Sequence, residues 1–287
     1  MTIKLPLRKA RKAISSVALM AIALTTMQGC ETVQTTQAGA VGVTRKQSMG
    51  VSREQVEQQS SVAYSQLRQE AGQKRTLNTD PALLARVQGI AKRLIPQVGV
   101  YRPDAVAWKW EVNVFQSDEV NAFCMAGGKI AVYTGLIQQL KITDDELAAV
   151  MGHEIAHALR EHVREQQSRQ QLLGVAGFGA VIGGALLGVN IDPNLAKNGL
   201  QVVFGLPNSR EAEVEADDIG LELAARAGYN PKAAITLWQK MGALSGGRPP
   251  AFLSTHPSPE SRAADLARMG QIVQPLYDAA IKTQPKR

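Results

Sequence analysis

The chain has 287 residues, of which 45% are hydrophobic, and a formal net charge of +7. This content is ample for the core of one large domain or two small ones, so the composition predicts a globular protein. Five bases and no acids lie in residues 1–29, which leaves 27 bases against 25 acids in the remainder. Because these charges nearly cancel, the charge of the chain gives no reason to propose a nucleic-acid partner.

The basic N-terminus begins a pattern typical of an export signal. Residues 13–26 are mostly apolar and lead to Gly29 and Cys30. The run is shorter than the ~20 residues that span a bilayer, which favours a cleaved segment over a permanent helix. Its ending resembles the bacterial lipoprotein signal, and an ordinary signal with an incidental cysteine is the alternative. We predict a signal peptide at 1–29 and lipidation of Cys30. The resemblance favours the outer membrane, because Glu31 stands where such lipoproteins have aspartate when they are retained in the inner membrane.

The next part of the chain carries no chemistry of its own. Lipidation of Cys30 leaves Cys124 alone, which excludes a disulfide framework and makes Cys124 a small buried hydrophobe. Residues 31–50 are rich in Thr, Gln, Gly and Ala and are interpreted as a tether. Helices are predicted at 52–73 and 81–98, the second with apolar residues at helical spacing.

Two strands and a well-defined helix follow. Apolar and polar residues alternate over 105–115, which predicts a half-buried strand, and the apolar run at 129–133 predicts another. Together they indicate a small sheet beside the next helix. That helix begins with a capping box, in which Thr143 is the N-cap and Glu146 is the third residue.

This helix carries the most informative motif of the chain, His153, Glu154 and His157. Histidines at i and i+4 project from one helical face with Cβ atoms ~5–6 Å apart, so both can reach one ion at ~2.0–2.1 Å. Glu154 lies about 100° around the helix and can hold a water instead of the metal. A pair of solvated or core histidines is the alternative. The pattern predicts a zinc peptidase centre.

A catalytic zinc needs a third protein ligand and an open position. Arg160 and Val163 occupy the positions where a metzincin has glycine and histidine, which excludes that class. His162 follows His153 by nine residues, about half a turn away around a continuous helix, and is predicted to be a surface residue. The third ligand must therefore come from elsewhere.

Residues 172–189 carry no charge and include six glycines. The segment reaches the lower length limit for a membrane span, and its glycines disfavour a helix unless it packs closely. A buried hairpin, or a mobile cover over the active site, is the preferred interpretation. Membrane insertion is the alternative.

An acid-rich helix after this segment supplies candidate carboxylates. Glu213 and Asp217 share a face with Gly220 and Ala224, whose small side chains allow close packing against another helix. Because buried carboxylates need a cation or donors, we predict Glu213 as the third ligand and Asp217 as the residue that orients a ligand histidine. Ordinary salt-bridge acids are the alternative. The other charged positions form a stripe predicted to face solvent: Glu211, Glu215, Asp218, Glu222 and Arg226.

The two motifs together resemble the HtpX-like and CAAX-prenyl-protease-like family of zinc metallopeptidases. The second motif of that family is a glutamate four residues before an aspartate, as at Glu213 and Asp217. The likeness covers roughly residues 76–270, and within the family the chain is most similar to bacterial envelope lipoproteins. It implies an α+β, predominantly α-helical, zincin-like metallopeptidase domain at 76–272, with a small β-sheet beside the metal helix and a C-terminal tail at 273–287.

Further site residues come from the resemblance. It implies that His256 and Arg262 face the metal, where they steady the oxyanion, or that His256 caps the zinc in a latent state. Without the family, His256 would be interpreted as a loop histidine. The resemblance also places an extended peptide substrate along a sheet edge at Asn121, Ala122 and Phe123.

The prediction is a zinc-dependent endopeptidase with one Zn²⁺ per chain, lipid-anchored to the outer membrane and facing the periplasm. Its expected substrates are unfolded or misassembled envelope proteins, and the outer-membrane assembly machinery is a candidate partner. The alternative is a lipoprotein that acts as an assembly or holding factor for outer-membrane proteins. Its zinc would be latent or structural, and a structural site is closed by four protein ligands.

Overall fold

The computed structural model describes residues 31–172, 207–244, 251–257 and 261–283. The predicted signal peptide, Cys30 and nearly all of the glycine-rich segment lie outside the described residues. Helices predominate over two small sheets in the described part, which confirms the predicted α+β class. Within these ranges, no helix combines the length and the apolar character that a bilayer crossing requires.

The elements are numbered in chain order, and short 3-10 helices at Ile95–Val100 and Pro103–Ala107 connect the second helix to the central sheet. The strands and helices are β1 (Glu31–Val33), β2 (Gln47–Met49), α1 (Arg53–Gln73), α2 (Pro81–Leu94), β3 (Glu111–Phe115), β4 (Ala122–Met125), β5 (Lys129–Tyr133), α3 (Thr134–Leu140), α4 (Asp144–Leu159), α5 (His162–Leu172), α6 (Arg210–Arg226), α7 (Ala233–Ala243), α8 (Ala251–Thr255) and α9 (Arg262–Thr283).

The first half of the predicted strand at 105–115 is not a strand. Pro103 starts a 3-10 helix that runs to Ala107, and only Glu111–Phe115 is extended. The indole nitrogen of Trp110 donates to the carbonyl of Ala105 at 2.9 Å, which closes a local turn. The first part of the apolar alternation therefore lies in a 3-10 helix and a turn. Pro103 fixes its own φ angle at a value that suits the start of that helix.

The three-stranded sheet lies between helices. Its order is β3-β5-β4, with β3 parallel and β4 antiparallel to β5, so β4 is an edge strand. One face packs in the main core with α2 and α4. On the other face, Phe115 and Ala131 pack with Tyr64 of α1, whose hydroxyl donates to the carbonyl of Ile130 at 2.5 Å. Cys124 on β4 is buried, as predicted.

The interpretation of residues 31–50 as a tether was wrong. They form the antiparallel pair β1 and β2 and fold back onto the domain. The carboxylate of Glu222 on α6 accepts hydrogen bonds from the backbone of Ala40 at 2.7 Å and of Val41 at 3.0 Å. The polar composition suggested a solvated segment. These backbone amides instead donate to a buried carboxylate and not to water.

The prediction of a C-terminal tail at 273–287 was wrong for residues 273–283, the part that the structure describes. Helix α9 continues to Thr283 without a break at the expected boundary. Leu266, Met269 and Val273 recur at helical spacing and are buried in the core. Burial of this apolar face keeps the helix on the domain.

Helices α4 and α6 make the closest packing near the motif. The predicted capping box is present, with the Thr143 hydroxyl accepting from the Glu146 amide at 3.2 Å and the Glu146 carboxylate accepting from Thr143 at 2.8 Å. Further along, a Cβ atom added to Gly220 would lie 2.6 Å from the backbone nitrogen of His153. The two backbones therefore touch, which the small-residue face of α6 predicted.

Candidate metal centre

Helix α4 presents its two histidines on one buried face. The Nε2 atoms of His153 and His157 lie 3.0 Å apart, and both side chains are almost fully buried. Glu154 is buried as well, and its Oε1 atom has no hydrogen-bond partner among the described residues. Burial raises the pKa of Glu154.

Helix α6 brings its two predicted carboxylates to the same place. The Glu213 oxygens lie 3.5 Å from His153 Nε2 and 3.4 Å from His157 Nε2. The Oδ1 atom of Asp217 lies 2.9 Å from His153 Nδ1, on the opposite edge of that ring. Asp217 therefore contacts the Nδ1 edge of His153, and Glu213 lies near its Nε2 edge. Both acids lie on the face of α6 that helical periodicity selected.

His256 lies just after α8 and joins the group. Its Nδ1 atom lies 2.9 Å from Glu213 Oε1 and 3.2 Å from His153 Nε2. Phe252 stacks on its ring with centroids 4.3 Å apart. The ligand atoms of His153, His157, Glu213 and His256 all lie within 4.8 Å of one another, so the four could hold a metal.

Arg262, at the start of α9, reaches the two carboxylates from the other side. Its Nη2 atom donates to Asp217 at 2.7 Å and to Glu213 at 3.3 Å. The guanidinium lies over the Trp238 ring, 3.2 Å from its centroid. Its Nε and Nη1 atoms have no partner among the described residues, although both are buried.

The charges of the cluster favour a cation. Burial alone would lower the pKa of His153, but hydrogen bonds with Asp217 and Glu213 outweigh it and raise the pKa to about 9. Burial alone would raise the pKa of Glu213, but hydrogen bonds with three histidines hold it well below the usual range. Both shifts show that the centre attracts positive charge. A metal ion with nitrogen and oxygen ligands fits these residues.

The predicted substrate residues lie beside this centre. Ala122 and Phe123 belong to the edge strand β4, which packs on α4, and Asn121 immediately precedes it. The Tyr133 amide donates to the Asn121 carbonyl at 3.1 Å. Because antiparallel partners alternate, the backbone groups of Ala122 and Cys124 then point away from β5, toward the edge with which no described strand pairs.

The prediction that His162 is a surface residue was wrong. Helix α4 ends at Leu159, and Glu161 takes a left-handed φ of 53° before α5 begins. This break turns His162 back toward the motif, where its Nδ1 atom lies 2.7 Å from His157 Nδ1. The spacing argument assumed an unbroken helix, and no glycine or proline announced the break.

Ion pairs hold the chain in this conformation. Glu161 lies 2.7 Å from each of Arg53, Arg102 and Arg164. Three cations from three parts of the chain therefore fix the one residue that has left-handed dihedral angles here. Arg53 and Arg102 are remote from Glu161 in sequence, so local reasoning could not identify them as its partners.

The predicted solvent-facing stripe on α6 was also wrong at two positions. Glu215 and Glu222 are buried, whereas Glu211 is exposed. Glu215 pairs with Arg160 at 2.9 Å and with Arg45 at 2.6 Å. Burial alone would raise its pKa, but hydrogen bonds with its partners, His162 first among them, lower it to about 2. The folded-back residues 31–50 cover this face.

A buried helix with two histidines and a glutamate, completed by a carboxylate from a second helix, defines a metallopeptidase domain. The model of Peptidase family M48 matches residues 81–269. The chain belongs to this family, which confirms the predicted resemblance.

Similar proteins carry metalloendopeptidase or protease names. The chain is 39% identical over 167 residues to "Mitochondrial metalloendopeptidase OMA1" of Arabidopsis thaliana, covering 58% of this chain and 33% of the relative. It is 34% identical over 202 residues to the OMA1 of Schizosaccharomyces pombe, covering 70% and 56%. It is 28% identical over 209 residues to "Beta-barrel assembly-enhancing protease" of Escherichia coli, covering 70% and 41%. The chain thus spans 33% to 56% of these relatives.

Proposed function

We propose that this chain is a zinc-dependent endopeptidase whose peptidase domain occupies residues 76–272 and the rest of α9. The observation that carries the proposal is the buried group of His153, His157 and Glu213, with Glu154 beside it, whose Oε1 atom has no hydrogen-bond partner among the described residues. Two imidazoles and one carboxylate are a ligand set of catalytic zinc sites. One Zn²⁺ per chain is expected.

The residues around the centre have separate tasks. Zinc, when bound, supplies a Lewis acid that polarises the scissile carbonyl and acidifies an attacking water. Glu154 takes the proton of that water and delivers it to the leaving amine. Asp217 fixes the ring of His153 through the hydrogen bond at Nδ1.

Arg262 and His256 are proposed to stabilise the developing oxyanion. Arg262 is buried, and two of its nitrogens have no hydrogen-bond partner in the part of the chain that the structure describes, so it has donors to offer to a new negative charge. Positive groups in a buried site stabilise such a charge more than they would in water. His256 lies 3.5 Å from Glu154 and 2.9 Å from Glu213, within reach of the same region.

The substrate is proposed to be an extended polypeptide that pairs with the edge of β4. Cys124 offers its backbone amide and carbonyl there, and Ala122 offers its carbonyl, while the Ala122 amide already donates to the Asn121 Oδ1 atom at 2.9 Å. Asn121 and Phe123 flank these positions. Because main-chain hydrogen bonds do not discriminate among side chains, selectivity should be weak. Unfolded or misassembled envelope proteins fit this description.

His256 supports a second candidate function. Its Nδ1 atom is the fourth potential ligand of the group. A site closed by four protein ligands is structural or latent, and the chain would then act as an assembly or holding factor for outer-membrane proteins. In the endopeptidase proposal, His256 would not hold the metal, and the fourth position would remain available to a water.

The cell location is also a proposal. The N-terminal pattern supports a lipid anchor at Cys30 in the bacterial outer membrane, facing the periplasm, and the relative named beta-barrel assembly-enhancing protease is consistent with an envelope role. Palmitate labelling in bacteria should mark the wild type and Cys124→Ala, but not Cys30→Ala. Equal labelling of all three proteins would contradict lipidation at Cys30.

Metal removal tests the peptidase proposal directly. The purified protein with zinc should cleave denatured casein, because an unfolded chain can lie along β4. A chelator should abolish cleavage, and one equivalent of zinc should restore it, as followed by the release of acid-soluble peptides. Cleavage that survives complete chelation, with zinc content measured as zero, would refute the proposed mechanism.

A further inference from the structure

The two histidines of α4 differ in what supports them. His153 has a carboxylate, Asp217, directly on its Nδ1 atom at 2.9 Å. His157 has instead another imidazole, that of His162, at 2.7 Å between the two Nδ1 atoms. His162 is almost fully buried, and the mechanism above does not use it.

We propose that His162 is a positioning residue for the metal: it fixes the ring of His157, and Glu215 in turn fixes His162. The inference rests on the proposed metal site. Two carboxylates of α6 would then both orient ligand histidines. Asp217 would orient His153 directly, and Glu215 would orient His157 through His162.

The direction of the hydrogen bonds follows from the ligand role of His157. Its Nε2 atom faces the cluster and must be unprotonated to bind a metal, so its Nδ1 carries the proton and donates to His162 Nδ1. His162 must then be protonated on Nε2. That atom lies 3.1 Å from Glu215 Oε2, which accepts the bond. Each hydrogen bond therefore requires the next.

Glu215, the last acceptor in these hydrogen bonds, is itself fixed by two arginines. Arg160 donates to Glu215 from Nε at 2.9 Å, and Arg45 donates from Nε at 2.6 Å. Arg45 also donates to both oxygens of Glu165 at 2.6 and 2.8 Å. Because Arg45 belongs to the folded-back residues 31–50, that segment contributes to the support of a ligand histidine.

The break between α4 and α5 is consistent with this positioning role. A continuous helix would turn His162 away from His157, so the left-handed Glu161 is needed to bring the two rings together. A hydrogen-bonded partner on a ligand histidine typically contributes 10–100-fold to metal affinity. That range sets the expected size of the effect.

The test compares His162→Phe with His162→Asn. Phenylalanine keeps an aromatic ring but offers no acceptor, whereas the Asn Oδ1 atom occupies nearly the position of the His Nδ1. Both variants lose the bond to Glu215. We expect zinc affinity, measured by competition with a chromophoric chelator, to fall 10–100-fold in His162→Phe and to recover substantially in His162→Asn. The visible spectrum of the Co²⁺-loaded protein should change most in His162→Phe.

Gln167→Leu is the matched control, since Gln167 is also buried on α5 but bonds to Gln59 at 3.3 Å and not to the histidines. Its zinc affinity should stay close to that of the wild type, because the substitution removes no contact with the histidines. The thermal midpoint of each metal-free variant separates a general loss of folding from a loss of positioning. If His162→Phe does not fold, His162→Leu replaces it, with the same expected loss, because leucine also offers no acceptor to His157 Nδ1.

Equal zinc affinity in the wild type, His162→Phe and His162→Asn would overturn the positioning role. Equal losses in the Phe and Asn variants would overturn it too, because an acceptor at Nδ1 would then make no difference. These readouts need no peptide hydrolysis. A wild type that binds zinc but cleaves nothing would contradict the proposed function and leave this inference standing, whereas a wild type that binds no zinc would overturn both.

Discussion

Glu154→Gln is expected to lower the rate of casein cleavage by about 10²–10⁴-fold, the usual contribution of a general base. The amide keeps the size and polarity of the side chain but cannot take a proton from water. Glu154 is not among the four residues whose ligand atoms converge, so the zinc content should remain one per chain. Peptide release and zinc content, measured on the same preparation, test both statements.

Glu146→Gln is the control for this experiment. Glu146 is a buried glutamate on the same helix, but it caps the helix and pairs with Lys240 at 2.7 Å, away from the cluster. Its replacement should lower thermal stability and leave cleavage nearly unchanged. If Glu154→Gln cleaved casein as fast as the wild type, the general-base role would fail, and a structural zinc in a holding factor would gain support.

Gly220→Ala is expected to have the largest effect on stability. The added Cβ atom would lie 2.6 Å from the His153 nitrogen and 2.7 Å from the Gly152 carbonyl carbon, and backbone atoms cannot move aside cheaply. Overpacking of this kind costs about 1–3 kcal/mol or more, which exceeds the roughly 1 kcal/mol that alanine gains in helix propensity. The free energy of unfolding should therefore fall.

The same substitution should weaken zinc binding. Separation of α4 from α6 would move Glu213 and Asp217 away from the histidines, so we expect a loss in affinity of at least tenfold, on the order of the loss from a damaged ligand environment. Denaturant unfolding and chelator competition measure the two effects. Gly89→Ala is the control, because Gly89 lies in α2 with open space around its Cβ position and should gain stability. A stable Gly220→Ala with unchanged zinc affinity would contradict the close-packing argument.

Local patterns predicted much of the site. The spacing of His153 and His157 gave the metal motif, and the capping box gave the start of α4. The small-residue face of α6 singled out Glu213 and Asp217, which lie where that argument put them. These features follow from the geometry of a single regular helix, which sequence spacing describes completely.

His256 and Arg262 required more than spacing. A lone histidine near a proline gives no local signal, and the resemblance to a family pointed to it. In the structure, both residues reach the cluster from segments more than forty positions beyond Glu213. Only tertiary packing brings them there: α9 packs against α6, and Phe252 on α8 packs against His153 and Trp238.

The sequence by itself determined the fold class, the helix that carries the paired imidazoles, and the two carboxylates that face it, because each depends on a repeat within one element. Only the tertiary structure decided the fate of His162, Glu215 and residues 31–50. Their positions depend on ion pairs between distant parts of the chain, which break one helix and bury a charged face that local amphipathicity assigned to solvent. Helical periodicity records which residues share a face, but not what covers it.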